Sequence, residues 1–547
     1  MQGLMMQMPL LISSIATHAE RFHGDSEIVS VTADNPLHRY TYRDCFRRSR
    51  KLANALERAG IGLGDRVATL AWNDYRHMEA YYAISGIGAV CHTINPRLFP
   101  EQLVYIINHA EDRLLFTDPL FVPLLEKLAD QIGGIERFVV LTDDDHMPET
   151  SLAGAISYER FIADESDRFD WPEFDENTAS GLCYTSGTTG NPKGVLYSHR
   201  STVLHAYAGL MPDILNMSAA DTVLPVVPLF HVNAWGIPYA APIVGAKLVF
   251  PGPKMGDGEA LYQLMESEQV TLALGVPTVW LALLQYMDKA GVTTSTLQRT
   301  LVGGAAVPES MIREFDQKHG VTVQQGWGMT EMSPLGVVNV LKPHQKELPK
   351  EQQYRILAKA GRGIYGCEMK VVDEEGNELP WDGKSSGALR VRGPWICSDY
   401  FKMEGESDAH TEPGWFDTGD VANIDADGFL TITDRTKDVI KSGGEWISSI
   451  DLENAAMGHP VVAEAAVIGV AHPKWTERPL LIVVCKESQK VSKEDMLSFL
   501  EDKVARWWLP DDVVFVDEIP HTATGKILKT ELRERFGDYT LPAEKAS

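Results

Sequence analysis

Residues 184–194 read YTSGTTGNPKG. This stretch contains three glycines, one proline, four serine or threonine hydroxyls and one lysine. A run so rich in glycine does not hold a helix and offers little apolar surface for packing. Backbone N–H groups, hydroxyls and a mobile ammonium group are the donors that bind phosphate. The sequence therefore predicts a loop whose backbone closely approaches a phosphate-bearing ligand.

The spacing of this loop differs from that of the P-loop of nucleoside triphosphatases. That motif places a glycine directly before the lysine and a serine or threonine directly after it. Here Gly190 stands three residues before Lys193, and Gly194 follows the lysine. Pro192 also prevents an immediate helical continuation. A surface hairpin with a chance lysine is the alternative interpretation.

The composition is typical of a soluble globular protein. The chain has 547 residues, of which 44% are hydrophobic and 23% are charged, and this length predicts at least two domains. The formal net charge of −26 repels nucleic acid and anionic membranes, so nucleic acid is not an expected partner. The six cysteines form no C-x-x-C pair, which argues against a disulfide framework or a zinc site.

The most apolar stretch, residues 223–250, is interrupted by prolines and by His231, Asn233 and Lys247. A membrane span needs roughly 20 predominantly apolar residues in one continuous helix. We therefore interpret this stretch as core, and we expect no transmembrane segment and a cytoplasmic location.

Short β-branched runs such as 66–70 and 247–250 alternate with helical patterns such as 42–59 and 259–268. Strands separated by helices indicate parallel sheets with crossover connections, so we predict an α/β fold.

Beyond residue 434 the pattern changes to short strands around an amphipathic helix near 493–506, which predicts a small α+β unit. We place a large N-terminal domain, with parallel-rich β-sheets flanked by helices, at 1–434. A small mobile C-terminal domain is placed at 435–547.

Four further motifs accompany the loop at 184–194. They are QGWGMTE at 325–331, GWFDTGD at 414–420, DRTKDVIKSGGE at 434–445 and PHTATGK at 520–526. Together these motifs resemble those of the adenylate-forming superfamily, which includes acyl-CoA synthetases, the adenylation domains of peptide synthetases and luciferases. The resemblance extends over nearly the whole chain and follows the order of motifs in that superfamily.

The resemblance implies that ATP activates a carboxylate, which places negative charges beside one another as pyrophosphate leaves. The phosphate loop would surround the β- and γ-phosphates, Thr330 would hydrogen-bond the α-phosphate, and Glu331 with Thr185 would hold Mg²⁺. For Glu331, a helix N-terminal carboxylate is the plainer interpretation. The phosphate-loop residues implied are Thr185, Ser186, Gly187, Thr188, Thr189 and Lys193.

The nucleoside would be held by other segments. Asp420 offers two oxygens to the ribose hydroxyls, and Arg435 would support the same ribose or the phosphates. Taken alone, Asp420 is more often a turn residue, and Arg435 would form a surface ion pair with Asp434 or Asp438. Trp327 stands where relatives usually carry tyrosine beside the adenine, and a core tryptophan is its alternative. The remaining implied contacts are Gly303, Gly304, Ala305, Gln325 and Gly326.

Two chemical steps in one active site imply a rotation of the small domain. Lys526 would reach the acyl carboxylate and α-phosphate during adenylation, and Lys437 would be the hinge. The alternative for Lys526 is an ordinary exposed lysine in a turn, and the alternative for Lys437 is a solvated lysine in a linker. Coenzyme A would then be bound by Lys441, Gly443, Gly444 and Trp446.

The acid is predicted from residues 230–235, FHVNAW. Amino-acid adenylation domains tend to carry an aspartate here, whereas this sequence offers His231 and Asn233 among apolar residues. The resemblance to bacterial medium- and long-chain fatty acyl-CoA ligases implies that Trp235 gates a fatty-acid tunnel, near Gly304 and Ala305. His231 would orient the carboxylate, with a core histidine as the alternative.

We therefore predict a fatty acid:CoA ligase whose ligands are a medium-chain acid, ATP, Mg²⁺ and coenzyme A. The sequence is compatible with a homodimer. Three alternatives stay open: loading of a carrier-protein thiol, activation of an aryl or other carboxylic acid, and a non-catalytic nucleotide sensor.

Overall fold

The computed structural model describes residues 1, 3–185, 191–403, 405, 407–435, 438–442, 445–486, 489–521 and 527–542, except for the side chains of 445 and 446. The chain divides into two compact units. The first unit comprises Met1–Leu301, Gly328–Gly336 and Gly393–Ser407, and the second comprises Val302–Trp327, Val337–Arg392 and Asp408–Ser547.

The α-helices of the first unit are α1 (Ile12–His23), α2 (Tyr42–Arg58), α3 (Tyr75–Gly86), α4 (Pro100–Ala110), α5 (Val122–Leu128), α6 (Tyr158–Ile162), α7 (His199–Gly209), α8 (Val232–Trp235), α9 (Ile237–Val244), α10 (Gly258–Glu268) and α11 (Pro277–Ala290). Those of the second unit are α12 (Glu309–Glu314), α13 (Pro343–Lys346), α14 (Lys350–Leu357), α15 (Ser449–Met457), α16 (Lys493–Glu501) and α17 (Lys529–Arg535).

The strands up to residue 302 are β1 (Glu27–Ser30), β2 (His38–Thr41), β3 (Arg66–Leu70), β4 (Val90–Thr93), β5 (Asp112–Thr117), β6 (Arg137–Val140), β7 (Ile156–Ser157), β8 (Ala179–Tyr184), β9 (Gly194–Ser198), β10 (Thr222–Pro225), β11 (Lys247–Phe250), β12 (Leu272–Gly275) and β13 (Arg299–Val302). The later strands are β14 (Thr322–Gly328), β15 (Leu335–Val338), β16 (Gly361–Gly363), β17 (Glu368–Val372), β18 (Gly387–Arg392), β19 (Phe416–Ile424), β20 (Phe429–Arg435), β21 (Ile440–Ser442), β22 (Glu445–Ile447), β23 (Val462–His472), β24 (Thr476–Cys485) and β25 (Asp512–Phe515).

A seven-stranded sheet in the first unit has the order β7-β6-β5-β3-β4-β8-β9. The pairs from β7 to β8 are parallel, and β9 runs antiparallel to β8. Parallel strands are normally covered on both faces, and β4 is buried at each of its positions. The predicted α/β fold is confirmed, and the β8–β9 hairpin at the sheet edge carries the predicted phosphate loop.

A second group of strands in the first unit has the order β12-β10-β11-β1-β2. It is parallel from β12 to β1, and β2 is antiparallel. The stretch 223–250, predicted to be core, supplies β10, α8, α9 and β11, most of whose residues are buried. Among the described residues, no helix combines the length and the apolar character that crossing a bilayer requires.

The second unit contains an antiparallel run in the order β17-β18-β19-β20-β16. The register of β19 against β20 places Asp420 opposite Arg435. Two residues predicted to hold the ribose are therefore neighbours across one strand pair.

The C-terminal part of the second unit is the predicted α+β body, a five-stranded sheet with the order β22-β21-β24-β23 and β25 parallel to β24. Alternate residues of β23 and β24 face opposite sides, as the twofold period of a strand requires. Val467 and Leu481 belong to one buried cluster, whereas Ile468 and Leu480 belong to another. The boundary between 434 and 435 stays a prediction.

Candidate active site

The predicted phosphate loop connects the two strands of the β8–β9 hairpin, whose last pair is Tyr184 and Gly194. At the neck of the loop, the N–H of Thr185 donates to the carbonyl of Lys193 at 2.9 Å. The N–H of Lys193 donates to Oγ1 of Thr185 at 3.2 Å. Thr185 and Lys193, both predicted to contact the phosphates, are thus hydrogen-bonded to each other. The other predicted residues of the loop, Ser186, Gly187, Thr188 and Thr189, lie outside the described residues.

Lys193 and Glu331 both contact the side chain of Tyr400. Nζ of Lys193 lies 4.8 Å from the centroid of the Tyr400 ring. The hydroxyl of Tyr400 donates a hydrogen bond to Oε1 of Glu331 at 2.9 Å. The structure therefore brings the phosphate-loop lysine and the predicted metal-binding carboxylate to one aromatic side chain.

Thr330 and Glu331 lie in the 3₁₀ turn Thr330–Met332, and each is 7% exposed. The chain before this turn passes very close to the chain after it. A Cβ atom at Gly328 would lie 1.9 Å from the carbonyl oxygen of Pro334, so this position accepts only glycine. The tight path holds Thr330 and Glu331 at a defined place at the end of β14.

Glu331 fits the role of a magnesium ligand. A carboxylate has about four lone-pair sites, of which the hydrogen bond from Tyr400 uses one. Oxygen donors remain on Glu331, and a hard cation such as Mg²⁺ prefers oxygen. The hydroxyl of Thr185 is an oxygen donor of the same class.

The segment 395–402 connects these two groups through its backbone as well. The N–H of Cys397 donates to the carbonyl of Glu331, and the N–H of Phe401 donates to the carbonyl of Gly194, both at 2.8 Å. A Cβ atom at Gly194 would lie 3.2 Å from that of Phe401, so glycine allows this close approach. Sequence analysis missed the segment, because backbone hydrogen bonds place little demand on residue type.

The predicted acid-binding stretch contains a left-handed turn, α8. Its dihedral angles φ are 48° at Val232, 51° at Asn233, 46° at Ala234 and 56° at Trp235. L-residues in this conformation cost roughly 1–2 kcal/mol each, and β-branched Val232 is especially unusual there. Packing and hydrogen bonds around the turn must offset this strain.

Asn233 is held by the buried helix α3. The hydroxyl of Tyr81 lies 2.5 Å from the carbonyl oxygen of Leu229 and 3.0 Å from Oδ1 of Asn233, and its single proton is shared between these two acceptors. The carboxamide therefore faces the core. His231 and Trp235, the residues predicted to orient the carboxylate and to gate the tunnel, flank this anchor and are half-buried.

Asp420 is the centre of the predicted nucleoside group in the second unit. Nε of Arg435 lies 2.7 Å from Oδ1 of Asp420, and Nε1 of Trp327 donates to Oδ2 at 3.1 Å. Arg435 also donates from Nη1 to the carbonyl of Thr418 at 3.2 Å. The ion pair of Arg435 is therefore with Asp420 and not with its sequence neighbours, and three predicted residues come together.

The glycines after β13 and the residues of β14 complete this group. Gly303 is buried, whereas Gly304 and Ala305 are exposed. Gly304 has φ of 83°, a left-handed conformation that favours glycine. Gln325 is 6% exposed, and no hydrogen-bond donor among the described residues reaches its Oε1. A ligand amino group would satisfy this acceptor, as the predicted adenine contact requires; Gly326 follows it in β14.

Helix α17 begins three residues after Lys526, the predicted catalytic lysine. Nζ of Lys529 pairs with Glu453 of α15 at 2.8 Å, and Asp434 accepts a hydrogen bond from the N–H of Ser449 at 2.8 Å. Burial alone would lower the pKa of Lys529, but the charges of Glu453 and Asp434 raise it above its ordinary value. Electrostatic attraction between Lys529 and the carboxylates of Glu453 and Asp434 therefore holds α17 against α15 and the end of β20.

Several predicted residues of this C-terminal body cannot be compared with the geometry. Lys437, Gly443, Gly444, Lys526 and the side chain of Trp446 lie outside the described residues. Lys441 lies in β21 with an exposed side chain, and its N–H donates to Oε2 of Glu477 at 3.0 Å. Their roles remain predictions.

Comparison with known proteins gives the family. Residues 15–401 match the profile described as AMP-binding enzyme, and residues 451–526 match the AMP-binding enzyme C-terminal domain. The chain belongs to the AMP-binding enzyme family. The predicted membership of the adenylate-forming superfamily is confirmed.

This AMP-binding enzyme is similar over nearly its whole length to named CoA ligases. It is 52% identical over 538 residues to the 3-methylmercaptopropionyl-CoA ligase of Ruegeria lacuscaerulensis, covering 98% of this chain and 99% of the relative. It is 50% identical over 541 residues to the medium-chain-fatty-acid–CoA ligase of Ectopseudomonas oleovorans, covering 99% of this chain and 98% of the relative. The AMP-binding enzyme is accordingly an acid–thiol ligase that forms an acyl-CoA through an acyl-adenylate.

The fold is shared with solved ligases. The crystal structure of the anthranilate CoA ligase AuaEII in complex with anthranoyl-AMP matches with a TM-score of 0.86 and 24% identity, covering 97% of this chain and 98% of that one. This similarity confirms the predicted architecture of a large N-terminal domain and a smaller C-terminal domain.

Proposed function

We propose that this enzyme converts a medium-chain fatty acid, ATP and coenzyme A to acyl-CoA, AMP and diphosphate. The acid oxygen attacks the α-phosphorus, diphosphate leaves, and the thiol of coenzyme A then displaces AMP from the acyl-adenylate. The 50% identity with a medium-chain-fatty-acid–CoA ligase supports the class of acid.

The observation that carries the proposal is the arrangement of the left-handed turn. Oδ1 of Asn233 accepts from the hydroxyl of Tyr81 and from Sγ of Cys183, and the residue is 7% exposed, so it offers no free acceptor to the ammonium group of an amino acid. The neighbouring side chains Val232, Ala234 and Trp235 are largely apolar. An alkyl chain placed against them would gain about 0.8 kcal/mol for each buried methylene.

Most of the predicted site residues would have a defined role in this reaction. Mg²⁺, when bound, would neutralise phosphate charge and stabilise the leaving diphosphate. Lys193 and the hydroxyls of the phosphate loop would bind the β- and γ-phosphates, Thr330 the α-phosphate, and Thr185 with Glu331 the metal. Asp420 and Arg435 would hold the ribose. Lys526 would stabilise charge during adenylation, Lys437 would act as hinge, and Lys441, Gly443, Gly444 and Trp446 would contact coenzyme A.

The test is a two-step assay with the full chain. ATP–pyrophosphate exchange measures adenylation, and consumption of the coenzyme A thiol measures thioester formation, each with butanoate, octanoate and palmitate. We expect octanoate to give the highest kcat/KM in both steps. Higher kcat/KM with butanoate or palmitate would contradict the medium-chain assignment, and absence of exchange with all three acids would contradict fatty-acid activation.

A second candidate acid is 3-methylmercaptopropionate, because the relative named for its CoA ester is 52% identical. Its thioether chain has the length of pentanoate and is also apolar. Pentanoate is therefore the matched comparison. A preference for the thioether over both pentanoate and octanoate would favour this candidate.

The acceptor is tested separately. Hydroxylamine traps the acyl-adenylate whichever thiol follows, whereas acyl-CoA release requires coenzyme A. Trapping without acyl-CoA release would favour a carrier-protein thiol, and exchange with benzoate above that with octanoate would favour an aryl acid.

A further inference from the structure

Tyr400 is the side chain on which the phosphate-loop lysine and the metal-binding carboxylate converge. The Lys193 ammonium group lies over the face of its ring, and the Glu331 carboxylate accepts a hydrogen bond from its hydroxyl. The two charges therefore contact different parts of one neutral residue. Tyr400 is 9% exposed and Glu331 is 7% exposed, so water screens the hydrogen bond between them little, whereas Lys193 is exposed and contacts the ring from the solvent side.

This arrangement addresses a problem common to sites that bind a metal–phosphate complex. The site needs a cation for the phosphates and an anion for the metal, and in the free enzyme opposite charges tend to pair with each other. An ion pair between Lys193 and Glu331 would have to break before ATP and Mg²⁺ could bind. A neutral ring that contacts both groups stabilises them without neutralising either.

The backbone near Tyr400 fixes the ring in this position. Cys397 and Phe401, on either side of it, donate N–H groups to the carbonyls of Glu331 and Gly194 at 2.8 Å. The segment is thereby joined to the metal-binding turn at one end and to the phosphate hairpin at the other. Neither hydrogen bond depends on the Tyr400 side chain, so its removal should leave the backbone frame in place.

From these contacts we propose that Tyr400 is a positioning residue that keeps Lys193 and Glu331 apart and oriented for a magnesium–ATP complex. This inference rests on the proposed roles of Lys193 and Glu331. Hydrogen-bond partners of metal ligands orient those ligands, and their loss typically weakens metal affinity or activity about 10- to 100-fold.

The first test is Tyr400→Phe, which removes the hydroxyl and keeps the ring. We expect the half-saturating Mg²⁺ concentration in ATP–pyrophosphate exchange to rise about 10-fold. ATP binding in EDTA, measured by equilibrium dialysis, should change less than about twofold because the cation–π contact with Lys193 remains. Tyr400→Leu removes both contacts, so ATP binding in EDTA should also weaken by about fivefold.

The matched control is Tyr365→Phe, which removes the hydroxyl of a tyrosine that is 86% exposed. It should leave both measurements unchanged. Tyr400→His keeps an aromatic ring and a hydrogen-bond donor, so it should restore much of the magnesium affinity lost in Tyr400→Phe. Circular dichroism of each variant establishes that it is folded.

A double-mutant cycle distinguishes positioning from general disruption. Magnesium-dependent ATP binding is measured by calorimetry in Tyr400→Phe, Glu331→Gln and the double variant. If Tyr400 acts through Glu331, its substitution should add less than about twofold to the loss caused by Glu331→Gln. Fully additive losses, or an unchanged magnesium dependence in Tyr400→Phe, would overturn the inference.

The result can be separated from failure of the proposed function. A wild-type enzyme that exchanges pyrophosphate with none of the fatty acids would contradict the choice of acid, yet the ATP-binding measurements would still test Tyr400. Conversely, normal fatty-acid activation with unaltered magnesium dependence in Tyr400→Phe would reject only the role of Tyr400.

Discussion

The indole of Trp327 donates a hydrogen bond to Oδ2 of Asp420 at 3.1 Å. Arg435 contacts the other oxygen of the same carboxylate at 2.7 Å. Asp420 is therefore oriented from two sides before any ligand binds, and its remaining lone pairs point in directions set by these neighbours.

Trp327→Phe should weaken ATP binding selectively. The substitution keeps an aromatic ring but removes a hydrogen bond to a carboxylate, a contact worth about 1.5–3 kcal/mol. We expect KM for ATP to rise about 10-fold and KM for the acid to stay within about twofold. Steady-state kinetics with each substrate varied checks this, with Trp381→Phe, at a 45% exposed position, as the control. An equal rise in both KM values would contradict the assignment.

Lys526→Ala should separate the two half-reactions. Loss of one transition-state donor typically slows a reaction about 10²-fold, so adenylation should slow by this factor. Thioester formation from supplied acyl-AMP should be nearly unchanged, because Lys526 is proposed to act only in the first step. Lys490→Ala, at an exposed position of the C-terminal body, is the control. Equal losses in both steps would reject the proposed domain rotation.

Much of the fold was predictable because its signals are local. The strands at Arg66–Leu70 and Lys247–Phe250 were predicted from β-branched runs, and the structure has them at those bounds. The helix near 493–506 ends earlier, at Glu501, and Arg506–Trp508 forms a separate 3₁₀ turn. Helix ends depend on tertiary packing as well as on periodicity, which explains the difference.

The candidate site was only partly predictable. Spaced motifs predicted roles for Lys193, Glu331 and Asp420, since phosphate, metal and ribose each demand particular residue types. Tyr400 was missed because tyrosine is common in cores, and its hydrogen bond to Glu331 joins distant parts of the chain. The conformation of Asn233 was missed because four consecutive left-handed residues have no recognised sequence pattern.

Acidification should destabilise the first unit partly through His205. Its Nε2 accepts a hydrogen bond from the N–H of Leu335 at 3.3 Å, and burial lowers the pKa of His205 to about 4. Between this value and an unfolded pKa of about 6.5, the unfolded state binds a proton that the folded state does not. Stability is therefore full above about pH 6.5 and falls by about 1.4 kcal/mol per unit as the pH drops towards 4.

His205→Gln retains an acceptor but does not titrate. The decrease in the thermal midpoint of unfolding from about pH 7 to about pH 5 should be smaller in this variant than in the wild type. His344→Gln, at a side chain that is 63% exposed, is the control and should follow the wild type. A variant that loses as much stability as the wild type on acidification would contradict the prediction.

Asn233→Ala should affect the acid more than the nucleotide. It removes the buried carboxamide that accepts hydrogen bonds from Tyr81 and Cys183 and so holds the left-handed turn to the core, and each such hydrogen bond contributes about 1 kcal/mol. We expect KM for octanoate to rise about 10-fold and selectivity between octanoate and palmitate to decrease, while KM for ATP changes less than about twofold. Kinetics with both acids checks this, and unchanged selectivity would contradict the placement of the acyl chain beside this turn.

The reversed hand of Val232–Trp235 also affects how variation among relatives should be interpreted. In a right-handed helix, residues three and four apart share a face, whereas in a left-handed turn successive side chains rotate in the opposite sense. Specificity codes transferred by counting right-handed helical positions would therefore select the wrong side chains of this turn. Library design for altered acid preference should therefore start from the dihedral angles of this turn.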